Sequence, residues 1–285
     1  MKSFTINKND ANQRLDKFIN KSVPLLPKTL MYKYIRIKRI KVNGKRAEIS
    51  TRLNLGDTVD MYINDEFFEK APEKYDFLKA SKNLNIIYED ENIILCDKKV
   101  GVLSHPDDNE YIDTLIGRIK RYLYEKGEYK PDDEHSFVPS LVNRIDRNTG
   151  GIVIAAKNAE TLRILNQKMK DRELHKFYLC IVHGEIKKKN GLLEGYLVKD
   201  ENKNKVTVSK KKMEDSKEIR TKYSVIDTDG ELSLVEVELL TGRTHQIRAH
   251  MEYLGCPIVG DDKYYGKQRV KHSNLSPKLH LHAYK

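Results

Sequence analysis

The sequence predicts an α+β protein of two parts: a mixed, largely antiparallel sheet domain over residues 81–285 and a small, basic α/β module over residues 1–64, joined by a linker over residues 65–80. Three observations carry that reading. Segments with strand character outnumber helices after residue 80 and come as hairpins rather than alternating with helices, which argues against a doubly wound sheet. Positive charge is concentrated at one end. Residues 1–64 hold 14 Lys or Arg against 5 Asp or Glu, a surplus of +9 out of the chain's +11. Finally, apolar periodicity lapses around Pro72, where acids and lysines mix.

Taken in order, Leu15, Phe18 and Ile19 repeat at helical spacing between Ala11 and Val23. Pro27 suits a first helical turn, and Leu30, Met31, Tyr34 and Ile35 form the next apolar stripe. Lys28, Lys33, Arg36, Lys38, Arg39 and Lys41 lie on and just after that helix. Alternation through Ile40-Lys41-Val42 runs into an Asn43-Gly44 turn, and Val59 to Ile63 alternate again. Beyond the linker, Ile86–Tyr88 and Ile93–Cys96 read as a hairpin, and Ile112, Leu115, Ile116, Ile119 and Leu123 as a helix. Residues 125–137 are polar and read as a surface loop. Residues 141–156 place two apolar runs around a polar turn. Leu162, Leu165 and Met169 mark a helix, residues 176–182 a buried strand, and lysine-rich 199–222 an exposed hairpin or loop that could touch phosphates. Leu232 to Leu240 alternate as a strand. Thr241-Gly242-Arg243-Thr244 then leads into a helix carrying Ile247, Met251 and Leu254, with Gly255 placed to end it.

Several function classes lack support. No run approaches the roughly 18 apolar residues of a membrane helix, and the first residues lack the apolar core of a secretory signal, so a cytoplasmic protein without membrane contact is expected. Cys96, Cys180 and Cys256 form no Cys-x-x-Cys pair and are expected to be buried and reduced. Phosphate-binding loops, dinucleotide fingerprints and His-Glu-x-x-His are absent. His245, His250, His272, His280 and His282, with Asp261 and Asp262, match no standard metal spacing; polar side chains beside an anionic substrate fit them better, and no metal or cofactor is expected. The concentrated positive charge makes nucleic acid the expected partner of a monomeric chain.

The chemistry centres on Asn143-Arg144-Ile145-Asp146-Arg147-Asn148-Thr149-Gly150-Gly151. A carboxylate between two arginines at a tight turn fits equally an ion pair steadying a hairpin or an active site. A carboxylate acting as nucleophile or base must be ionised and aimed, and a guanidinium serves both ends through a bidentate pair.

This segment closely resembles the catalytic His-Arg-Leu-Asp-x-x-Thr-Ser-Gly motif of the pseudouridine synthases that modify large-subunit ribosomal RNA and some transfer RNAs. Lys176-Phe177-Tyr178 resembles that family's Lys-x-Tyr motif. Residues 241–251, from Thr241-Gly242-Arg243 through His245-Gln246-Ile247-Arg248, resemble its Thr-Gly-Arg-x-His-Gln-hydrophobic-Arg motif, and Gly255–Asp261 continues the match. Arg14-Leu15-Asp16, Val42-Asn43-Gly44 and Gly56-Asp57 resemble the S-four RNA-binding module often fused to these enzymes.

The resemblance implies a pseudouridine synthase fold and an enzyme, an isomerase without cofactor, converting uridine to pseudouridine in RNA, with 23S large-subunit ribosomal RNA favoured. It implies that Asp146 is the essential carboxylate, either attacking the uridine or abstracting a ribose proton. Tyr178 would pack on the base and help remove its proton, and Arg243 would pair with Asp146. Ile247 would line the uracil pocket, Arg144 would fill the gap left by the flipped nucleotide, and Arg147, Thr149, His245, Gln246 and Arg248 would contact substrate. Three departures stand out: Asn143 replaces histidine and Gly150 replaces serine, and Asp97-Lys98-Lys99-Val100-Gly101 sits where the family has Lys-Pro-x-Gly, so that with Lys99 in place of proline a less rigid loop is expected. The chain also stops at Lys285, where relatives usually continue into a final strand pair. Two further readings remain: a catalytically silent binder of ribosomal RNA with the same fold, and a metal-dependent RNA hydrolase.

Overall fold

The structure, a computed structural model, describes residues 1–69, 75–200, 205–265 and 278–285. Its N-terminal part runs β1 (Lys2–Thr5), α1 (Leu15–Ser22), α2 (Lys28–Arg36), β2 (Ile40–Val42), β3 (Lys45–Arg46) and β4 (Thr58–Met61). The strands form a sheet in the order β1-β4-β2-β3. Asn43 and Gly44 both take positive φ, 51° and 69°, as a two-residue hairpin turn requires. β1 is the element that periodicity did not announce: four residues with one buried side chain, Phe4, carry too little alternation to stand out. Phe4 meets Phe18 edge to face at 5.8 Å, and Leu15, Ile19, Met31, Ile35, Val59 and Met61 complete a core of their own. Each such side chain contributes about 1.5–3 kcal/mol by leaving water.

The remainder is built on one sheet. Its strands are β5 (Ile86–Glu89), β6 (Ile93–Lys98), β7 (Ser140–Leu141), β8 (Gly150–Ala156), β9 (Phe177–His183), β10 (Asn190–Asp200), β11 (Lys205–Ser209), β12 (Lys217–Thr228), β13 (Leu232–Leu239) and β14 (Leu281–Ala283). They lie in the order β11-β10-β12-β13-β9-β14-β8-β6-β5, with β7 also on β8. Pairing is antiparallel except for β14 on β8. Helices α3 (Leu115–Glu125), α4 (Ala159–Lys170) and α5 (Gln246–Tyr253) complete it. The last described residues thus enter the middle of the sheet. A Cβ at Gly151 (φ +111°) would collide with the Ala283 backbone, so that glycine is what admits β14.

Three segments differ from their sequence reading. Apart from Glu125, which ends α3, residues 125–137 form no strand or helix, yet Tyr129, Ser136 and Phe137 are buried. The reason is a docking seam that local periodicity cannot show. Asp10, itself fully buried, accepts from the Ser136 backbone N–H (3.1 Å) and hydroxyl (2.6 Å). Asn9 donates to Glu134 at 2.6 Å and accepts from Ala159 N at the start of α4. Within residues 65–80, Phe77 joins the core of the large sheet and Ala80 is fully buried. In the lysine-rich 199–222 stretch β10 and β11 pair antiparallel, in keeping with the hairpin reading, but the stretch is not wholly exposed: Ile219 and Thr221 of β12 are buried, because cross-strand hydrogen bonds with β10 and β13 hold β12 inside the sheet whatever its outward side chains are. Cys96, Cys180 and Cys256 are buried and free, as expected. No described helix is long and apolar enough to cross a membrane.

Candidate active site

Asp146 sits on the loop between β7 and β8, and neighbouring backbone groups hold that loop in place. Ile145 is buried in the core, and its carbonyl accepts from Ser104 Oγ at 2.8 Å. Thr149 N donates to the Asp146 carbonyl at 3.0 Å, closing the turn. The ammonium of Lys98, whose side chain is 1% exposed, donates to the carbonyls of Val102 (2.7 Å), Arg147 (3.1 Å) and Lys99 (3.3 Å). Burial pulls its pKa down to about 8, with Asp146 and Asp97 opposing. Lys99, in place of proline, does not leave this loop slack: Lys98 ties it to the strand beneath.

Asn143 and Gly150 also have local reasons. Asn143 Oδ1 accepts from Ile154 N at 2.8 Å and its amide donates to the Ile152 carbonyl, so it bonds back to β8. A Cβ at Gly150 would stand 2.9 Å from His282 Nδ1, a contact that glycine avoids.

Opposite Asp146, β9 contributes Tyr178 and α5 contributes its first turn. Tyr178 is buried, and its phenol is pushed up to about 12, by burial first and by the Asp146 charge second. His245 precedes α5 in a left-handed conformation, φ 56° and ψ 18°. A histidine held there stores strain, of the kind that clusters at functional sites. Its Nδ1 meets Tyr264 Oη at 3.1 Å and its Nε2 lies 3.7 Å from Asp146 Oδ2. Burial depresses the imidazole pKa, and Asp146 pulls it back up.

The arginine beside the carboxylate differs from the expected one. Arg248 Nη1 is 3.8 Å from Asp146 Oδ2, whereas Arg243 forms no ion pair with Asp146 among the described residues. Arg243 is exposed on the cavity rim, because it lies in the turn before α5; Arg248, one helical turn after His245, faces inward. Its Nε and Nη2 donate to Asp261 Oδ2 and Oδ1, both at 2.7 Å. Asp261, weighed above as a metal ligand, is thus the brace of an arginine.

The other expected contacts divide. Asn143, Arg144, Thr149, Ile247 and His245 line an open cavity of about 630 Å³ with Asp146, Tyr178, Arg243 and Arg248. Gln246 lines it too, but its polar atoms are engaged within the protein: Oε1 accepts from Thr241 Oγ1 and Arg243 N, and Nε2 donates to Arg220 O and Thr221 Oγ1. These bonds shape the turn before α5. Arg147 is outside the lining; its Nε donates to the Gly101 carbonyl at 3.1 Å. His250 is fully buried with Nδ1 2.8 Å from Thr221 Oγ1. His272 lies outside the described residues, and among those described no group of His, Cys, Asp or Glu is arranged to hold a metal.

Sequence reasoning gave no role to Lys98, which falls on the lysine of the family's Lys-Pro-x-Gly, and missed Ser104 and Tyr264. A buried lysine carries no periodic signal, and Tyr264 follows the matched motif without belonging to it. In the N-terminal part, Lys28, Lys33, Arg36, Lys38 and Arg39 are exposed and Lys41 is half-buried. Arg39 lies over the Tyr34 ring at 5.7 Å and Lys41 over Tyr62 at 5.4 Å.

Comparison with known proteins identifies the family. Residues 92–253 match the family model described as RNA pseudouridylate synthase, and residues 13–59 that of the S4 domain. An uncharacterised RNA pseudouridine synthase of Mycoplasma genitalium is 34% identical over 286 residues, covering 99% of this chain and 87% of that protein. Ribosomal large subunit pseudouridine synthase D of Borreliella burgdorferi is 33% identical over 290 residues, covering 100% and 84%. Ribosomal large subunit pseudouridine synthase C of Rickettsia felis is 33% identical over 283 residues, covering 95% and 87%. In fold, the chain is similar to human RNA pseudouridylate synthase domain containing 1, with TM-score 0.56 and 22% identity over 71% of this chain and 77% of that one.

Proposed function

The chain belongs to the RNA pseudouridylate synthase family, and from that premise we propose that it isomerises uridine in 23S large-subunit ribosomal RNA with Asp146 as the essential carboxylate. It is an RNA pseudouridine synthase, an isomerase with an RNA-binding S4 domain. The ribosomal target is supported by relatives named as large-subunit enzymes. The observation that carries the assignment of the site is the placement of Asp146, side chain 30% exposed, at a cavity shared with Tyr178 and Arg248.

In the reaction the bond from uracil N1 to ribose C1′ breaks, a bond from C5 to C1′ forms, the C5 proton leaves and N1 takes up a proton, so that no atom is gained or lost overall. The uridine must first leave its stack, at a cost of a few kcal/mol that protein contacts offset. Arg144, exposed at the cavity edge, fills the vacated gap. Ile247 and Tyr178 hold the uracil. Asp146 either attacks the nucleotide or takes a ribose proton, and Arg248, rather than Arg243, aims it. Tyr178, held as a phenol by burial, packs on the base and helps remove the C5 proton as a relay, its own O–H proton passing to water in the open cavity as the C5 proton arrives. Arg243 on the rim and the cations of residues 1–64 grip phosphates, and we take those residues as an RNA-gripping module joined by 65–80 to the catalytic part.

The test is to incubate unmodified ribosomal RNA with the protein in the presence of a chelator and to map pseudouridine by carbodiimide adducts. Product from the native protein, lost in Asp146→Ala while RNA binding persists, is the expected result. RNA binding without product on any ribosomal or transfer RNA would instead leave a silent binder. Removing residues 1–64 should weaken binding and flatten its salt dependence.

A further inference from the structure

Lys176 stands immediately before β9, two residues from Tyr178, and its carbonyl accepts from Leu239 N at 3.0 Å, so the strand pairing already includes it. Side chains two apart on a strand share a face, roughly 7 Å from each other. Lys176 and Tyr178 accordingly both line the cavity, and Phe177 between them does not. The Lys176 ammonium has no acceptor or carboxylate partner among the described residues. Burial lowers its pKa, and Arg172 lowers it further, so no neighbouring anion accounts for its position. Next to it, a Cβ at Gly242 would come within 3.4 Å of Lys176 Nζ.

An unpaired, partly desolvated ammonium is unfavourable in the empty protein. It becomes favourable once an anion arrives. In a cavity whose neighbouring face holds a base against Tyr178, the available anion one strand-pair step away is the backbone of that same nucleotide.

We propose that Lys176 anchors a phosphodiester adjoining the flipped uridine, so that Tyr178 and Lys176, on one face of β9, receive the base and the backbone of a single nucleotide. This rests on the uridine-isomerising reading for the identity of the nucleotide, whereas phosphate binding itself can be measured without turnover.

The experiment compares native protein with Lys176→Gln and Lys176→Arg, binding an unmodified large-subunit ribosomal RNA transcript across a salt series. Lys176→Gln should make the slope of log K against log salt less steep by about 0.7–0.9, one phosphate contact, and Lys176→Arg should keep the native slope. The thermal midpoint of Lys176→Gln should hold or rise, because an unpaired ammonium is removed; a residue kept for packing would lower it. With product mapping available, Lys176→Gln should lose about tenfold in kcat/KM and Lys176→Arg should restore most of it. A native slope in Lys176→Gln, or a lowered midpoint, overturns the proposal even if the native protein makes pseudouridine. A flattened slope in a protein that makes none would leave the phosphate anchor standing and the isomerase reading refuted.

Discussion

Arg248 reaches to 3.8 Å from Asp146 because Asp261 fixes it from behind through two hydrogen bonds of 2.7 Å. The brace leaves one guanidinium nitrogen for the carboxylate, and the Tyr264 ring 4.9 Å away closes one side.

Arg248→Ala should therefore lower kcat by about 10²-fold or more, the scale set by misplacing a reacting group. Arg243→Ala should act chiefly on KM and on salt dependence. Arg248→Lys should recover little, since an ammonium cannot meet Asp261 in a fork and still reach Asp146. Asp261→Ala should also cost about 3–5 kcal/mol in urea unfolding by leaving a buried guanidinium unpaired. Equal kcat losses in Arg243→Ala and Arg248→Ala would contradict this division.

Lys98 acts on the same carboxylate from below. Lys98→Met should keep the apolar stem but lose the bonds to Val102, Arg147 and Lys99. Single-turnover rates should fall about tenfold or more with RNA affinity within twofold of native, because the loop holding Asp146 loosens while the phosphate contacts stay.

His250 makes stability pH-dependent. Its imidazole is fully buried and its pKa is depressed to about 4, against 6.5 unfolded. Between those values the unfolded chain binds a proton that the folded chain refuses, so this contribution is present above pH 6.5 and is lost as pH falls toward 4. Urea unfolding at pH 5 rather than pH 7 should show about 2 kcal/mol less stability from this residue. His250→Gln should remove that part of the pH dependence, and an unchanged profile would locate it elsewhere.

The two glycines after the catalytic turn should respond differently. Gly151→Ala, at φ +111° against the Ala283 backbone, should displace β14 and either prevent folding or lower the thermal midpoint sharply. Gly150→Ser, the residue the family motif carries, meets a His282 side chain that is 52% exposed and held from outside by a 3.8 Å contact with Asp97. Its cost should stay near 1 kcal/mol, and His282→Ala should relieve it.

Much of the fold was legible because it is local. Leu15, Phe18 and Ile19 announce α1, Asn43-Gly44 announces the β2–β3 hairpin, and Gly255 (φ 80°) ends α5. The motif around Asp146, with Lys176-Phe177-Tyr178 and residues 241–251, likewise carried the family and the reaction. These depend on residue type and spacing, which a linear sequence contains in full. What tertiary structure alone decided are the contacts between segments far apart in the chain. Arg243 and Arg248 sit five residues apart in one motif, and only the direction of the first turn of α5 separates rim from interior. Lys98 beneath the Arg147 carbonyl, Asp10 sealed against Ser136, and β14 threaded between β8 and β9 follow the same rule. A buried polar side chain is tolerated only where its partners converge, and no periodicity along the chain records which distant groups those will be.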